Sequence, residues 1–90
     1  MPNRNTTVFK VLTEEEKDIR KTLDIVYEAL KAKGYNAADQ LVGYIMSGDP
    51  IYITSYNNAR NEIQKIERDM IVEQLVKIFI ESKLSANYMN

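Results

Sequence analysis

The chain contains no cysteine and no histidine among its 90 residues. Without cysteine it has neither a disulfide framework nor a thiolate site. Without histidine it lacks the commonest metal ligand and the side chain that most often titrates near neutral pH. The remaining candidates for chemistry are carboxylates on helix faces that we expect to be solvated. The composition therefore predicts no catalytic site, no metal and no cofactor.

An excess of charge of one sign and long apolar runs are also missing. Twelve basic and thirteen acidic residues leave a net charge of −1. Such a balance argues against broad binding to nucleic acid or to anionic lipid. The opening stretch "MPNRNTTVFKVL" lacks the apolar run of a signal peptide, and no window approaches a membrane span. We expect a cytoplasmic protein without membrane insertion.

Helix start and stop signals, by contrast, are abundant. Thr13 and Glu16 have the spacing of a capping box, and Gly34 is placed to end the helix that they begin. Asn36 can cap a second helix, which Gly48 ends. Apolar residues recur at helical spacing in both segments: Ile19, Leu23, Val26, Tyr27 and Leu30 in the first, and Ala38, Leu41, Val42 and Ile45 in the second. Gly43, in the middle of the second helix, costs up to about 1 kcal/mol relative to alanine, which is tolerable if another helix crosses closely there.

A corner follows in "SGDPIYI", residues 47–53. Asp49 followed by Pro50 is a capping residue and then proline at a first helical position, which predicts a single helical turn over "PIYI". Thr54 or Ser55 can cap a third helix with inner residues Ala59, Ile63 and Ile66. A fourth helix has inner residues Ile71, Leu75, Ile78 and Phe79, with a break from the third near 67–70 where Asp69 can act as a cap. The expected fold is all-α, with about four helices plus a single-turn helix.

The predicted organisation has three parts. Residues 1–12 form an expected flexible tail, residues 13–84 a helical dimerisation domain, and residues 85–90 a frayed C-terminus. Thr6 and Thr7 lie in the tail between Arg4 and Lys10, and a phosphate there adds about −1.5 to −2 charges. That phosphate could bind a basic cluster such as Arg60, Lys65 and Arg68, or could displace "VFKVL" from an apolar groove.

The fourth helix carries more apolar surface than one small domain can bury. Four residues fall outside its inner stripe: Met70, Val72, Val76 and Ile80. A two-fold homodimer is the commonest way to cover such a surface. The candidate interface residues are Ile71, Leu75, Phe79, Tyr44 and Tyr52.

A second function remains open from the residues alone. The corner resembles a helix-turn-helix, and polar residues on the third helix could read base edges: Asn57, Asn58, Arg60, Asn61 and Gln64. The turn is long, however, and the chain lacks the positive charge that phosphate contacts demand. A small DNA-binding transcriptional regulator is therefore the alternative, and nucleic acid is not the partner that the composition favours.

The stretch from "VYEALKAKGYN" through "SGDPIYI" to "NAR", "ERD" and "EQLVK" closely resembles the IreB family of small bacterial regulatory phosphoproteins. The resemblance implies a non-enzymatic, helical, dimeric protein. It also implies that a membrane-spanning Ser/Thr kinase and its cognate phosphatase act on threonines in the tail. In the characterised branch, such proteins act negatively on cephalosporin resistance within cell-envelope stress signalling, through a downstream protein that the sequence does not identify.

The resemblance carries over position by position. Thr7 falls on the principal threonine of the family. A second family threonine lies three places upstream, where this chain has Arg4, so Thr6 is the candidate for a second phosphorylation. Asn36 is usually followed by proline and here by Ala37, which keeps the helix cap but loses the preset backbone angle.

Overall fold

A computed structural model describes residues 11–89 of the chain, with side chains up to residue 85. This part contains four α-helices: α1 (Glu14–Ala32), α2 (Ala37–Ser47), α3 (Ala59–Gln64) and α4 (Arg68–Met89). Two 3₁₀ turns, Pro50–Tyr52 and Tyr56–Asn58, lie between α2 and α3. The described residues contain no strand, so the predicted all-α class is confirmed.

Helix α1 begins and ends as its sequence predicts. The Glu16 amide donates to Thr13 Oγ1 at 3.1 Å, and the Thr13 amide donates to Glu16 Oε1 at 3.1 Å, which completes the capping box. Gly34 has φ of +81°, a left-handed conformation that glycine adopts without a Cβ clash. The Tyr35 amide then donates to the Leu30 carbonyl at 2.9 Å and closes the helix end.

The core surrounds α1, which contacts each of the other three α-helices. Its buried side chains meet Ile53, between the two 3₁₀ turns, together with residues from every other helix: Tyr44 from α2, Ala59 and Ile63 from α3, and Ile71 from α4. Tyr27, which the spacing placed on the inner stripe, is instead 45% exposed. It lies at the edge of the stripe, where Lys31 Nζ is 5.8 Å from its ring centroid.

Helix α2 is capped as predicted, but it buries a different face. Asn36 Oδ1 accepts the Asp39 amide at 3.1 Å, and Gly48 ends the helix with φ of +75°. Tyr44 is buried, whereas the predicted inner residues Val42 and Ala38 are exposed. The helix is apolar over a wide arc, so the docking partner decides which part of the arc faces inward.

The corner after α2 folds tightly back on the helix. Asp49 Oδ1 accepts the Ile51 amide at 3.0 Å, and the predicted single turn is present at Pro50–Tyr52. A Cβ added at Gly43 would collide with the Tyr52 ring, whose Cγ would lie 2.9 Å away. The close approach at Gly43 is therefore made by an aromatic side chain from the corner and not by a crossing helix.

Helix α3 is shorter than its sequence indicates. A 3₁₀ turn with left-handed Asn57 and Asn58 precedes it, and Thr54 Oγ1 accepts the Tyr56 amide at 3.2 Å. Thr54 therefore stabilises this turn and does not cap the α-helix directly. Ala59 and Ile63 are buried as predicted.

The predicted break between the third and fourth helices is confirmed at residues 65–67. Asp69 lies inside the first turn of α4 and is not its cap. Ile71 and Gln74 are buried, whereas the predicted inner residues Ile78 and Phe79 are 38% and 62% exposed. The helix continues to Met89, although the sequence placed the end of the helical domain at residue 84.

Candidate functional site

The two predicted phosphoacceptors, Thr6 and Thr7, lie outside the described residues. Within the described part, four hydroxyl residues are committed to the fold. Thr22 is buried, Thr13 and Thr54 accept backbone amides, and Ser47 Oγ donates to the Gly43 carbonyl at 2.7 Å. Phosphorylation of any of these hydroxyls would displace the hydrogen bond or the core packing that it makes.

Three serines of the described part are exposed. Ser55 lies before the second 3₁₀ turn, and Ser82 and Ser85 lie on α4. These serines are the competing phosphoacceptors against which the two tail threonines have to be compared.

A groove of about 520 Å³ opens between α1, the end of α3 and the start of α4. Its apolar lining consists of Ile19, Ile25, Ile66 and Met70. Its N-terminal end begins at Glu15, two residues after the point where the chain enters α1. The groove therefore lies directly beside the end of the described chain.

The charged lining of this groove is predominantly acidic. Four acids and two lysines line it, giving a net charge of −2: Glu15, Asp18, Glu62, Glu67, Lys21 and Lys65. Lys65 Nζ pairs with Glu62 Oε2 at 3.1 Å, which leaves three acids and one lysine of the lining outside this pair: Glu15, Asp18, Glu67 and Lys21. The rim consequently favours a cationic occupant over an anionic one.

A polar cluster joins α1 to α4 on another face. Arg20 donates two hydrogen bonds to the Glu81 carboxylate, at 2.9 and 3.0 Å, and its Nε donates to Gln74 Oε1 at 2.8 Å. Gln74 is only 2% exposed, and its Nε2 donates to Glu16 Oε2 at 3.1 Å. Lys77 Nζ donates to the same Glu16 oxygen at 2.8 Å. The Gln74 amide thus bridges a cation and an anion, which fixes its orientation.

The cluster shifts the protonation of its members. Hydrogen bonds from Lys77, from the Thr13 backbone and from Gln74 lower the pKa of Glu16 to about 2. The bond to Glu16 raises the pKa of Lys77, and the bonds to Glu81 raise the pKa of Arg20. Lys77 Nζ is also 3.9 Å from Glu73 Oε2, which is a looser ion pair within α4. The arrangement is structural, because every shift favours the charged form that holds the helices together.

The predicted basic cluster is not a free anion site. Arg60 Nε donates to the Ile53 carbonyl at 2.7 Å, and Arg68 donates to the Ile45 carbonyl at 2.8 Å. Lys65 is paired with Glu62 across the groove rim. Each of the three cations therefore already has a different partner within the fold.

The candidate dimer residues divide into two groups. Ile71 and Tyr44 are buried within the chain, at 0% and 5% exposure, so neither offers surface to a partner. Leu75 is half-buried, while Tyr52 and Phe79 are exposed. The interface itself stays a prediction, and these last three residues are the ones that could contribute to it.

A second apolar stripe runs along α4 on the side opposite Gln74. Its members follow helical spacing and are 39–62% exposed: Val72, Val76, Phe79 and Ile80. The inner residues Ile71 and Gln74 lie about half a turn away from this stripe. Helix α4 is therefore apolar on two opposite faces, and its own chain covers one of them.

The helix-turn-helix alternative finds little support in this geometry. Helix α3 has six residues, about 9 Å of helix, and follows a 3₁₀ turn rather than a tight corner. Arg60 binds the Ile53 carbonyl, and Asn61 Nδ2 donates to Asn58 Oδ1 at 2.9 Å. Arg60, Asn58 and Asn61 are therefore engaged in hydrogen bonds within the fold.

The described residues 11–89 contain neither a candidate metal cluster nor a candidate membrane span. No group of three or more acidic side chains is gathered there in a way that could hold a metal ion. None of the helices there combines the length and the apolar character needed to cross a membrane.

These features define a small all-α protein with a two-faced final helix and an acidic groove beside its N-terminal entry. The family model described as "IreB regulatory phosphoprotein" matches residues 4–81. A "UPF0297 protein" of Lachnoclostridium phytofermentans is 51% identical over 80 residues, which is 89% of this chain and 91% of that protein. Another, of Ruminiclostridium cellulolyticum, is 48% identical over 77 residues, covering 86% and 88%. The chain belongs to the IreB family of regulatory phosphoproteins.

Proposed function

We propose that this chain is a non-enzymatic, cytoplasmic regulatory phosphoprotein, modified chiefly at Thr7 by a transmembrane Ser/Thr kinase and restored by the cognate phosphatase. Phosphorylation changes which downstream protein it binds, in cell-envelope stress signalling that limits cephalosporin resistance. The observation that carries the proposal is the family match, whose residues 4–81 include Thr6 and Thr7. The engagement of most folded hydroxyls in caps and core packing supports the same choice of acceptor.

The direct test is phosphorylation of the full chain by the intracellular domain of the cognate kinase, with mass-spectrometric mapping of the sites. We expect one phosphate at Thr7, with a smaller fraction at Thr6. Thr7→Ala should remove most of the modification, and Ser55→Ala, at an exposed hydroxyl of the folded part, should leave it unchanged. Phosphate found only on Ser55, Ser82 or Ser85 would contradict the proposal.

The cellular role is tested by deleting the gene and measuring cephalosporin susceptibility. We expect the deletion to raise resistance and the wild-type gene to restore the original level. Complementation with Thr7→Ala and Thr7→Glu variants then shows which form limits resistance. Unchanged susceptibility after deletion would contradict a negative role, whatever the phosphorylation result.

We further propose that the chain acts as a two-fold homodimer, with the exposed α4 stripe at its interface. Four apolar side chains on one helix face, 39–62% exposed, are costly to leave in water. Burying a side chain of this size is worth about 1.5–3 kcal/mol. A self-complementary pairing of two such stripes is the simplest way to remove them from water.

Sedimentation equilibrium of the wild-type chain tests the dimer. We expect a dimer mass at micromolar concentration, and a monomer mass for Phe79→Ser and Val76→Ser. Tyr27→Ser is the matched control, because Tyr27 is a half-exposed aromatic on α1. A monomeric wild type, or a dimer that both stripe variants preserve, would rule out this interface.

A further inference from the structure

The groove beside the start of α1 has an apolar floor and an acidic rim, and the chain that enters α1 has the complementary character. Residues 8 and 9 are Val and Phe, and residue 10 is Lys. The first twelve residues include two basic residues and no acid. An aromatic side chain flanked by positive charge matches a site lined by isoleucines and carboxylates.

We propose that this groove is the docking site for the chain's own segment Val8–Lys10, with Phe9 on the apolar floor and Lys10 at the acidic rim. We further propose that a phosphate at Thr7 releases the segment. The release step rests on the proposed function, because it gives a consequence to phosphorylation at Thr7. The docking step does not depend on any kinase.

The length of the connecting chain fits this placement. Phe9 precedes Thr13 by four residues, which span about 13 Å when extended. Along α1, about 13 Å corresponds to nine residues and reaches the level of Thr22, in the middle of the groove lining. A segment folded back along α1 therefore brings Phe9 over the apolar floor without any change in the helix.

The residues at the junction are consistent with such a path. Leu12 is half-buried, so the chain already lies against the body of the protein one residue before Thr13. Val11 is 84% exposed and its side chain faces solvent. The chain that enters α1 therefore already runs along the surface of the protein.

Charge repulsion explains why a phosphate at Thr7 would release the segment from the groove. Thr7 precedes Phe9 by two residues, about 7 Å of extended chain, so a docked Phe9 holds Thr7 beside the acidic lining of the groove. The lining carries a net charge of −2, and its Lys65 is already paired with Glu62. Adding about −1.5 to −2 charges at Thr7 would turn an attractive contact into a repulsive one.

Paramagnetic relaxation in the full-length chain tests the docking. The chain has no cysteine, so Asn5→Cys provides a single site for a nitroxide label. We expect strong broadening of the methyl signals of Ile25, Ile66 and Met70, and little at Ile51 on the corner. Phe9→Ser should abolish the broadening, whereas Val11→Ser, the matched apolar-to-serine control, should preserve it. Equal broadening at Ile51 and Ile66 would overturn the docking.

Further variants test whether the acidic rim of the groove is required for docking. Glu15→Gln combined with Asp18→Asn should reduce the broadening severalfold. Glu28→Gln, which removes an exposed acid of α1 outside the groove, should not. An equal effect of both changes would contradict a local contact with the rim. Broadening of isotope-labelled chains by NMR-silent spin-labelled chains would place the segment on another molecule and overturn docking within one chain.

Release is tested with phosphothreonine built into position 7 by chemical ligation. We expect loss of the broadening at Ile25 and Ile66 in the phosphorylated chain. Unchanged or stronger broadening would overturn the release while leaving the docking result intact. Because no kinase is involved, a failure of the proposed function in the phosphorylation assay would be distinguishable from a failure here.

Discussion

Helices α1 and α4 are the two longest elements of the molecule, and they relate to their sequences differently. Helix α1 has one apolar stripe, and the structure buries most of it. Helix α4 has two opposite apolar faces, and its most deeply buried side chains include a glutamine. A helix with a single apolar face can dock in only one way. For a helix with two apolar faces, the contacts with neighbouring helices decide which face is buried.

The largest expected effect is a loss of stability at a core position of α1. Leu30 is fully buried, so Leu30→Ala should lower the free energy of unfolding by about 2–5 kcal/mol. Val42→Ala, at a residue 59% exposed on α2, should change it by less than about 0.5 kcal/mol. Urea unfolding followed by circular dichroism measures both. Similar losses for the two variants would break the distinction between buried and exposed faces.

The second effect tests whether the polar centre of α4 is necessary. Gln74→Leu keeps a side chain of similar size but leaves Arg20 Nε and part of Glu16 without their partner. We expect a loss of about 1–3 kcal/mol in unfolding free energy. Gln64→Leu, at an exposed glutamine of α3, is the control and should be close to neutral. A more stable Gln74→Leu protein would mean that an apolar contact serves α4 better than the bridge.

The third effect concerns the start of α1. Thr13→Ala removes the side-chain oxygen that accepts the Glu16 amide, and should lower the unfolding free energy by about 0.5–2 kcal/mol. Thr13→Ser keeps that oxygen and should recover most of the loss. Thermal unfolding of the three proteins distinguishes the cap from other roles of Thr13. If serine were no better than alanine, the cap would not be the cause.

The last effect is seen most directly as a dependence on pH. The pKa of Glu16 is about 2 in the folded chain, against an ordinary value of 4.5. As the pH falls from about 5 to about 2, the unfolded chain therefore takes up this proton first, and stability falls. We expect the advantage of wild type over Glu16→Gln to be complete above pH 4.5 and to shrink below it.

Melting temperatures measured across this pH range check the expectation. Glu14→Gln is the matched control, because Glu14 lies in the same turn with its side chain 88% exposed. It should retain the steep decline of the wild type, whereas Glu16→Gln should decline less. Parallel curves for wild type and Glu16→Gln would show that the contacts of Glu16 with α4 do not persist in solution.

The exposed stripe of α4, the polar cluster and the acidic groove could be predicted from the sequence to different degrees. The excess apolar surface of α4 was visible in the sequence, because Val72, Val76 and Ile80 fall outside the inner stripe. The polar cluster was not, because Arg20 and Gln74 are 54 positions apart and nothing in either segment points to the other. The acidic groove was equally hidden, since its lining comes from three helices.

The sequence by itself determined the ends of α1 and α2 and the single turn that follows α2. The capping box at Thr13, the left-handed glycines and the Asp49–Pro50 turn each depend on residues within about four positions of one another. Only the tertiary structure decided that Tyr52 covers Gly43, that Gln74 occupies the centre of α4, and that one apolar face of α4 stays exposed. Those outcomes depend on which distant surfaces meet, and side-chain packing between helices selects among faces that local hydrogen bonding leaves equivalent.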